Sequence, residues 1–394
     1  MLFAGKTGEN PVLTRNRKST KPSVYKGFRP DESECLHKSM TPKQTVVVYG
    51  WSRVSTFLPV YRTRIAHTER VAMSTKTKEV RRFALLIAAI TSISLSLAGC
   101  SSPAEVLDKN PATSKFVLNA FHDGQFLDPF EDGKADMGLT LEGITSLSTL
   151  GYSQADLEKP INWVKSNTSI LGSPGLKANY VFTSYVAGFS EDPSVVAQLQ
   201  IMKDAIAADG TVKDTNNYSY GYIVFALLAS GKTDLANQVA LKMISNAEVS
   251  GGYKYTRGDT QSFESADVTS MSLMAIQATL GLGSEEDETA KKFSIEKSRD
   301  WLLNNLVSGE HYFAWDNYDL AGTSFGTMAL ISTNQDATKP QAWLASRINQ
   351  KDSGIPSPFS GEVSDVFTTV QALLPLSGIT FADVLDKVKA DSAS

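Results

Sequence analysis

Tyr218–Gly231 reads YSYGYIVFALLASG, and its centre, Ile223–Ala229, is apolar at every position. A helix that is apolar all round has no face to offer water, so it belongs to an interior layer. Five further stretches share this character: Asp136–Gly151 (DMGLTLEGITSLSTLG), Ala178–Phe189 (ANYVFTSYVAGF), Ala266–Gly281 (ADVTSMSLMAIQATLG), Leu320–Ser332 (LAGTSFGTMALIS) and Val363–Gly378 (VSDVFTTVQALLPLSG). Their ends recur roughly every 40–50 residues, the period of helical hairpins. Gly/Asp/Asn-rich turns and amphipathic segments separate them. In one segment Val195, Leu199, Met202 and Ile206 fall at i, i+4, i+7 and i+11, and Asp192-Pro193 supplies an N-cap and a first helical residue. Trp301, Leu302 and Leu306 follow a similar pattern. Ser284 and Asp287 are spaced as a capping box at the head of the acidic run Ser284–Glu288, a solvated helix start. Six buried helices ringed by six amphipathic ones predict an all-α fold, an (α/α)6 toroid of six helical hairpins over residues 112–394. Strand signals are almost absent.

Charge divides the chain. Residues 1–99 hold 17 Lys+Arg against 6 Asp+Glu, and residues 100–394 hold 21 against 36. The acidic part argues against nucleic acid as a partner, because phosphate contacts need clustered Lys and Arg. From Met73 the chain reads MSTKTKEVRRFALLIAAITSISLSLAGC, a basic n-region, a short apolar run and a small-residue exit. That pattern is an export signal over residues 73–99, too short for a membrane span. Leu97-Ala98-Gly99-Cys100 resembles a bacterial lipobox. The resemblance implies a diacylglycerylated Cys100, cleavage before it, and a protein held on the extracytoplasmic face of the cell membrane. Residues 100–111 then form a tether. A signal must lie near the terminus to be read, so residues 1–72 are expected to be a mis-assigned or disordered leader, with translation starting at Met73. With Cys35 in the leader and Cys100 committed to lipid, no disulfide framework or Cys-containing zinc site remains.

The repeats resemble the α/α-toroid proteins related to the prenyltransferase and squalene-cyclase repeat. Gly251-Gly252-Tyr253, the start Ser265-Ala266-Asp267 and the end Gln277-Ala278-Thr279-Leu280-Gly281 match that family's turn and inner helix, and Asp123-Gly124-Gln125-Phe126 is a weaker copy. The family's Asp-x-Asp-Asp and Asp-Asp-x-x-Asp motifs and the Cys-Gly-Glu-Gln thioester motif are missing from this chain. The resemblance therefore implies a fold and places functional residues at inner-helix N-termini, but transfers no catalytic chemistry.

At those positions stand Asp136, Asp267 and Asp365, and Asp316 lies before the fifth stretch. Paired carboxylates suit acid/base work; an Asp just before a helix also suits N-capping, the favoured reading here. Tyr218, Tyr220 and Tyr222, then Tyr253, Tyr255 and Phe263, then Tyr312, Phe313, Trp315 and Tyr318 cluster near three inner-helix starts. There Tyr218, Tyr220, Tyr253, Tyr255, Phe263, Trp315 and Tyr318 are candidates to line a ligand cavity, against a role as packing between hairpins. His122 and His311 sit in turns without metal-ligand spacing, and no metal or cofactor is expected. The expected function is a non-catalytic module that binds a small molecule, glycan or protein. The alternatives are an envelope carbohydrate-active hydrolase or lyase using two of the four aspartates, and a terpenoid cyclase or prenyltransferase-like enzyme. Peptide mapping of the native protein is expected to recover nothing from residues 1–72; peptides from that stretch would show that the leader is made.

Overall fold

The computed structural model describes residues 108–128, 133–257, 261–314 and 317–393. The leader, the signal segment, Cys100, and the candidates Trp315 and Asp316 lie outside them. The amphipathic segments form α1 (Pro111–Asn119), α3 (Glu158–Ser166), α5 (Pro193–Asp204), α7 (Thr233–Ile244), α9 (Glu285–Asn305) and α11 (Thr338–Ser346). The apolar stretches form α2 (Met137–Thr149), α4 (Pro174–Val186), α6 (Asn217–Ala229), α8 (Ala266–Gln277), α10 (Leu320–Ser332) and α12 (Val366–Ser377). Each of these six packs on the next, and α12 packs on α2, so they close a ring. The amphipathic helices lie against it: α1 on α12 and α2, α3 on α2, α5 on α4, α7 on α6 and α8, α9 on α8 and α10, and α11 on α10 and α12.

Local chemistry explains the boundaries. Val195 and Met202 of α5 are buried, with Leu199 and Ile206 packed beside them, and the Asp192 carboxylate accepts from the Ser194 N–H at 3.0 Å. Ser284 and Asp287 cap α9 reciprocally. The helix read as Ala178–Phe189 starts four residues earlier, because Ser173 caps it and Pro174 fits its first turn. The last inner helix starts later than Val363, at Val366, under the Asp365 cap. Among the described residues no single helix is long and apolar enough to cross a membrane.

Strands are present where few were expected. β1 (Phe126–Leu127) pairs with β2 (Ala135–Asp136), β3 (Tyr253–Arg257) with β4 (Gln261–Ser265), β5 (Tyr312–Ala314) with β6 (Asn317–Asp319), and β7 (Ile355–Pro356) with β8 (Ser364–Asp365), all antiparallel. Each hairpin feeds directly into α2, α8, α10 or α12. Strands of two to five residues are too short to leave a readable alternation.

One contact recurs at these junctions. Phe126, Tyr253, Tyr312 and Ile355 are buried, and their N–H groups donate to Thr140, Thr269, Thr323 and Thr369 Oγ1 at 2.9, 2.9, 3.1 and 2.9 Å. Each threonine stands four residues after the N-cap position, at Asp136, Ser265, Asp319 and Asp365. In the third unit Tyr220, four residues after the cap Asn216, takes that place: its hydroxyl accepts from the Val212 N–H at 2.9 Å. In the second, Lys177, four residues after Ser173, donates instead to the Leu171 carbonyl. These contacts correct two expectations. Tyr220 is 4% exposed and Tyr253 is fully buried, so both are packing and hydrogen-bonding elements rather than ligand-facing rings. Only glycine suits the turn before Tyr253, where Gly251 has φ +96° and a Cβ would lie 2.4 Å from the Lys297 carbonyl oxygen.

A thirteenth helix, α13 (Phe381–Ala393), departs from the six-hairpin plan. Gly378 ends α12 in the left-handed region, and the chain bends by 75° before α13 begins. Thr380 and Asp383 cap its start, with the Thr380 N–H donating to the Asp383 carboxylate at 2.8 Å. Phe381, Val384, Leu385 and Val388 make one apolar stripe and all are buried. The helix packs on α4 and α6. The Phe381 ring meets Phe225 at 4.9 Å, Phe182 at 6.0 Å, Tyr222 at 6.2 Å and Phe325 at 6.3 Å, so it touches inner helices from both sides of the ring. Lys387 Nζ donates to the Ser148 carbonyl at 2.6 Å, in the last turn of α2. This stripe resembles that of an outer helix in sequence; its partner is the inside of the ring. Phe381→Ala is expected to cost about 3–5 kcal/mol in urea unfolding. A loss below about 1 kcal/mol would show that α13 is not part of the core.

Candidate functional site

With the Phe381 end of α13 packed among the inner helices, the N-termini of those helices border a cavity of about 780 Å³. Asn216 and Tyr218 reach it from α6, Asp267 from α8, Asp319 and Ala321 from α10, and Phe367 and Gln371 from α12. Tyr255 and Phe263, facing each other across the β3–β4 pair at 5.7 Å, form one wall. Phe359, 76% exposed, belongs to another wall, so the cavity opens to solvent.

The carboxylates divide into two kinds. Asp136 and Asp365 are N-caps: each accepts a backbone N–H at 2.9 Å, from Leu139 and Phe367, and neither lines the cavity. Burial raises both carboxyls above the ordinary range. Asp267 is not a cap. Ser265 holds the N-cap position, and Asp267, in the first turn, accepts from the Ser265 hydroxyl and from the Val268 N–H at 2.8 Å. Asp319 caps α10, accepting from the Gly322 N–H at 2.8 Å, and also lines the cavity. Burial raises Asp267. Burial first, and then the Asp267 charge, push Asp319 up to about 7.

Glu142, on α2, forms part of the cavity floor. Burial pushes it up to about 7, although the Tyr222 and Tyr218 hydroxyls donate to its Oε1 at 2.9 and 3.3 Å and favour the charged form. Tyr218 meets Tyr222 and Phe325 edge-on at 5.7 and 5.6 Å. Directly beneath, Glu142, Tyr222, Phe325, Gln371 and Phe381 enclose a void of about 20 Å³, room for one water. The tip of α13 therefore supports the floor of the site.

Of the residues singled out from sequence, Tyr218, Tyr255, Phe263 and Asp267 meet at this cavity. Tyr318 does not. It packs edge-on against Trp343 at 5.4 Å, with the Arg347 guanidinium 5.0 Å above its ring. His122 is exposed beside Asp123, and His311 stacks on Trp343 at 4.8 Å. Among the described residues no group of three or more His, Cys, Asp or Glu side chains is placed to hold a metal. Asp319, Glu142, Phe359 and Gln371 are additions. Asp319 precedes α10 as Asp136 precedes α2, but its stretch lacks the terminal glycine that aligns the other aspartates. Glu142 is the one acid in the six inner helices beyond the first turn, a signal visible in the sequence.

No family model matches the chain, and no curated protein matches its sequence. Solved structures do. The type II terpene cyclase MstE from Scytonema is 14% identical with a TM-score of 0.50, over 73% of this chain and 99% of that one. A possible member of the GH105 family from Salmonella enterica is 11% identical with a TM-score of 0.48, over 72% and 94%. Haptocorrin in complex with Cbi is 15% identical with a TM-score of 0.45, over 71% and 69%. At such identities the likeness to the cyclase shows a fold of the α/α-toroid kind and nothing about chemistry.

Glu142 makes stability depend on pH. Its proton leaves the unfolded chain near the ordinary value of 4.5 and the folded chain near 7, so folding stability falls as pH rises across that window. The loss is at most about 3 kcal/mol. Glu142→Gln is expected to match the parent near pH 4.5 and exceed it at pH 8 in urea unfolding. An equal difference at both pH values would overturn this account.

Proposed function

We propose that the chain is an (α/α)6 toroid lipoprotein, anchored by lipidated Cys100 on the extracytoplasmic face of the cell membrane, whose ring mouth binds a small ligand without catalysis. The cavity of about 780 Å³ at the inner-helix N-termini carries this reading. Its volume, and walls that combine the aromatic rings of Tyr218, Tyr255, Phe263, Phe359 and Phe367 with convergent polar groups, suit a pre-formed ligand site. The aromatic faces of Tyr218, Tyr255 and Phe263 suit a ligand with a ring or an apolar body. The chain's own aromatics fill the other end of the ring around Phe381 and leave this one vacant. Support for the anchor comes from the sequence alone, in Leu97-Ala98-Gly99-Cys100 and the basic and apolar segments before it.

A second reading rests on one observation. Asp267 and Asp319 line the same cavity, and the charge of one raises the other. Neighbouring carboxylates raised above the ordinary range suit an acid and a base in a hydrolase or lyase. A cyclase or prenyltransferase activity has fold likeness only.

Thermal-shift measurements on the full-length protein with glycans, lipids and isoprenoids test the choice. A stabilising ligand is expected whose effect disappears in Phe263→Ala, itself still folded. Product formation that disappears in Asp267→Asn would replace the binding reading with the enzymatic one.

A further inference from the structure

The cavity carries an imbalance of sign and of hydrogen-bond type. Glu142, Asp267 and Asp319 line it, and no Lys, Arg or His does so among the described residues. Gln371 adds an acceptor: it lines both the cavity and the void below, and its Oε1 is buried with no protein donor among the described residues. Such an oxygen can accept from a ligand in the cavity or from a water in the void. The walls between the acids are aromatic, from Tyr218, Tyr255 and Phe263, and aromatic faces attract positive charge. A bare metal ion does not suit the site, because its carboxylates are not grouped closely enough to ligate one and the space greatly exceeds a coordination sphere.

We propose that the ligand of this cavity is an organic cation, an amine or quaternary ammonium on an apolar or aromatic body. The proposal rests on the binding reading given above and names its ligand class. The cationic head stands among Glu142, Asp267 and Asp319, and the body lies against Tyr255 and Phe263. The positive charge offsets the repulsion between Asp267 and Asp319, while a protonated amine also offers N–H donors to the Gln371 acceptor. A neutral ligand of the same shape gains the aromatic contacts and leaves the charge uncompensated.

Isothermal titration of the full-length protein at pH 8 tests this, using 4-phenylbutyl-trimethylammonium, its uncharged tert-butyl analogue and the corresponding sulfonate. The ammonium is expected to bind at least about tenfold more tightly than the neutral analogue, with the sulfonate weakest. Asp319→Asn keeps a capping side chain on α10 and is expected to reduce the ammonium's advantage over the neutral analogue several-fold. Glu142→Gln serves the same purpose if that variant does not fold. Equal binding of the ammonium and the neutral analogue would overturn the cation assignment and leave the binding reading standing. Failure of both to bind would overturn the two together.

Discussion

A hydroxyl one turn into an inner helix accepts the backbone N–H of the buried residue that leads into that helix. Thr140, Thr269, Thr323 and Thr369 do this, with Tyr220 as substitute in the third unit. The contact matters because the chain must pass from the outer layer to the inner one without leaving buried main-chain groups unpaired. Each bond contributes only about 1 kcal/mol, but an orphaned buried N–H costs about 1–3 kcal/mol. Three of the threonines also donate to their own N-cap carbonyls, at 2.6, 2.5 and 2.6 Å from Asp136, Asp319 and Asp365. The hydroxyl thus ties helix start and incoming turn into one unit, and that unit sets where the residues at the mouth stand.

Much of this was legible as pattern. The all-apolar helices announced themselves because a helix with no polar face has one physical destination, and the caps at Asp192 and Ser284 follow local rules that tertiary packing does not alter. What escaped notice was relational. Tyr220 and Tyr253 look like neighbours of Tyr218 and Tyr255 in the chain, yet each pair divides between core and cavity. Sequence proximity fixes the end of the ring a residue occupies and says little about whether its side chain faces the lumen. The α13 stripe was equally ambiguous, since amphipathic spacing records that a face is buried and not against what. The threonine four residues after the cap was readable in DMGLT, DLAGT and DVFTT and is explained only by the N–H that it receives.

The mouth carries its acids at a cost. Glu142 retains two tyrosine donors and is still shifted upward, because burial outweighs them. Asp319 serves as both helix cap and cavity wall, so its carboxylate is fixed by one bond to α10 and exposed to a second acid through the cavity. Helix capping alone does not require the charge: serine and asparagine do it in α4 and α6, through Ser173 and Asn216. Asp136 and Asp365 cap away from the cavity, so what sets the mouth apart is not acidic capping but the presence of Glu142, Asp267 and Asp319 together on its walls.

The helix that comes last among the described elements packs its apolar stripe on the inner helices and leaves Asp386 and Lys389 in solvent. Since α13 follows all six inner helices in sequence and its Phe381 touches Phe225 and Phe182, 156 and 199 positions earlier, the core of the ring is completed by a piece of chain that comes after it. Completion of the core therefore waits for a segment that follows the ring helices in sequence, and the ring without it lacks the Phe381 contacts. Contacts of such sequence separation carry a large loop-closure cost, so the local hairpins are expected to form before α13 docks on them.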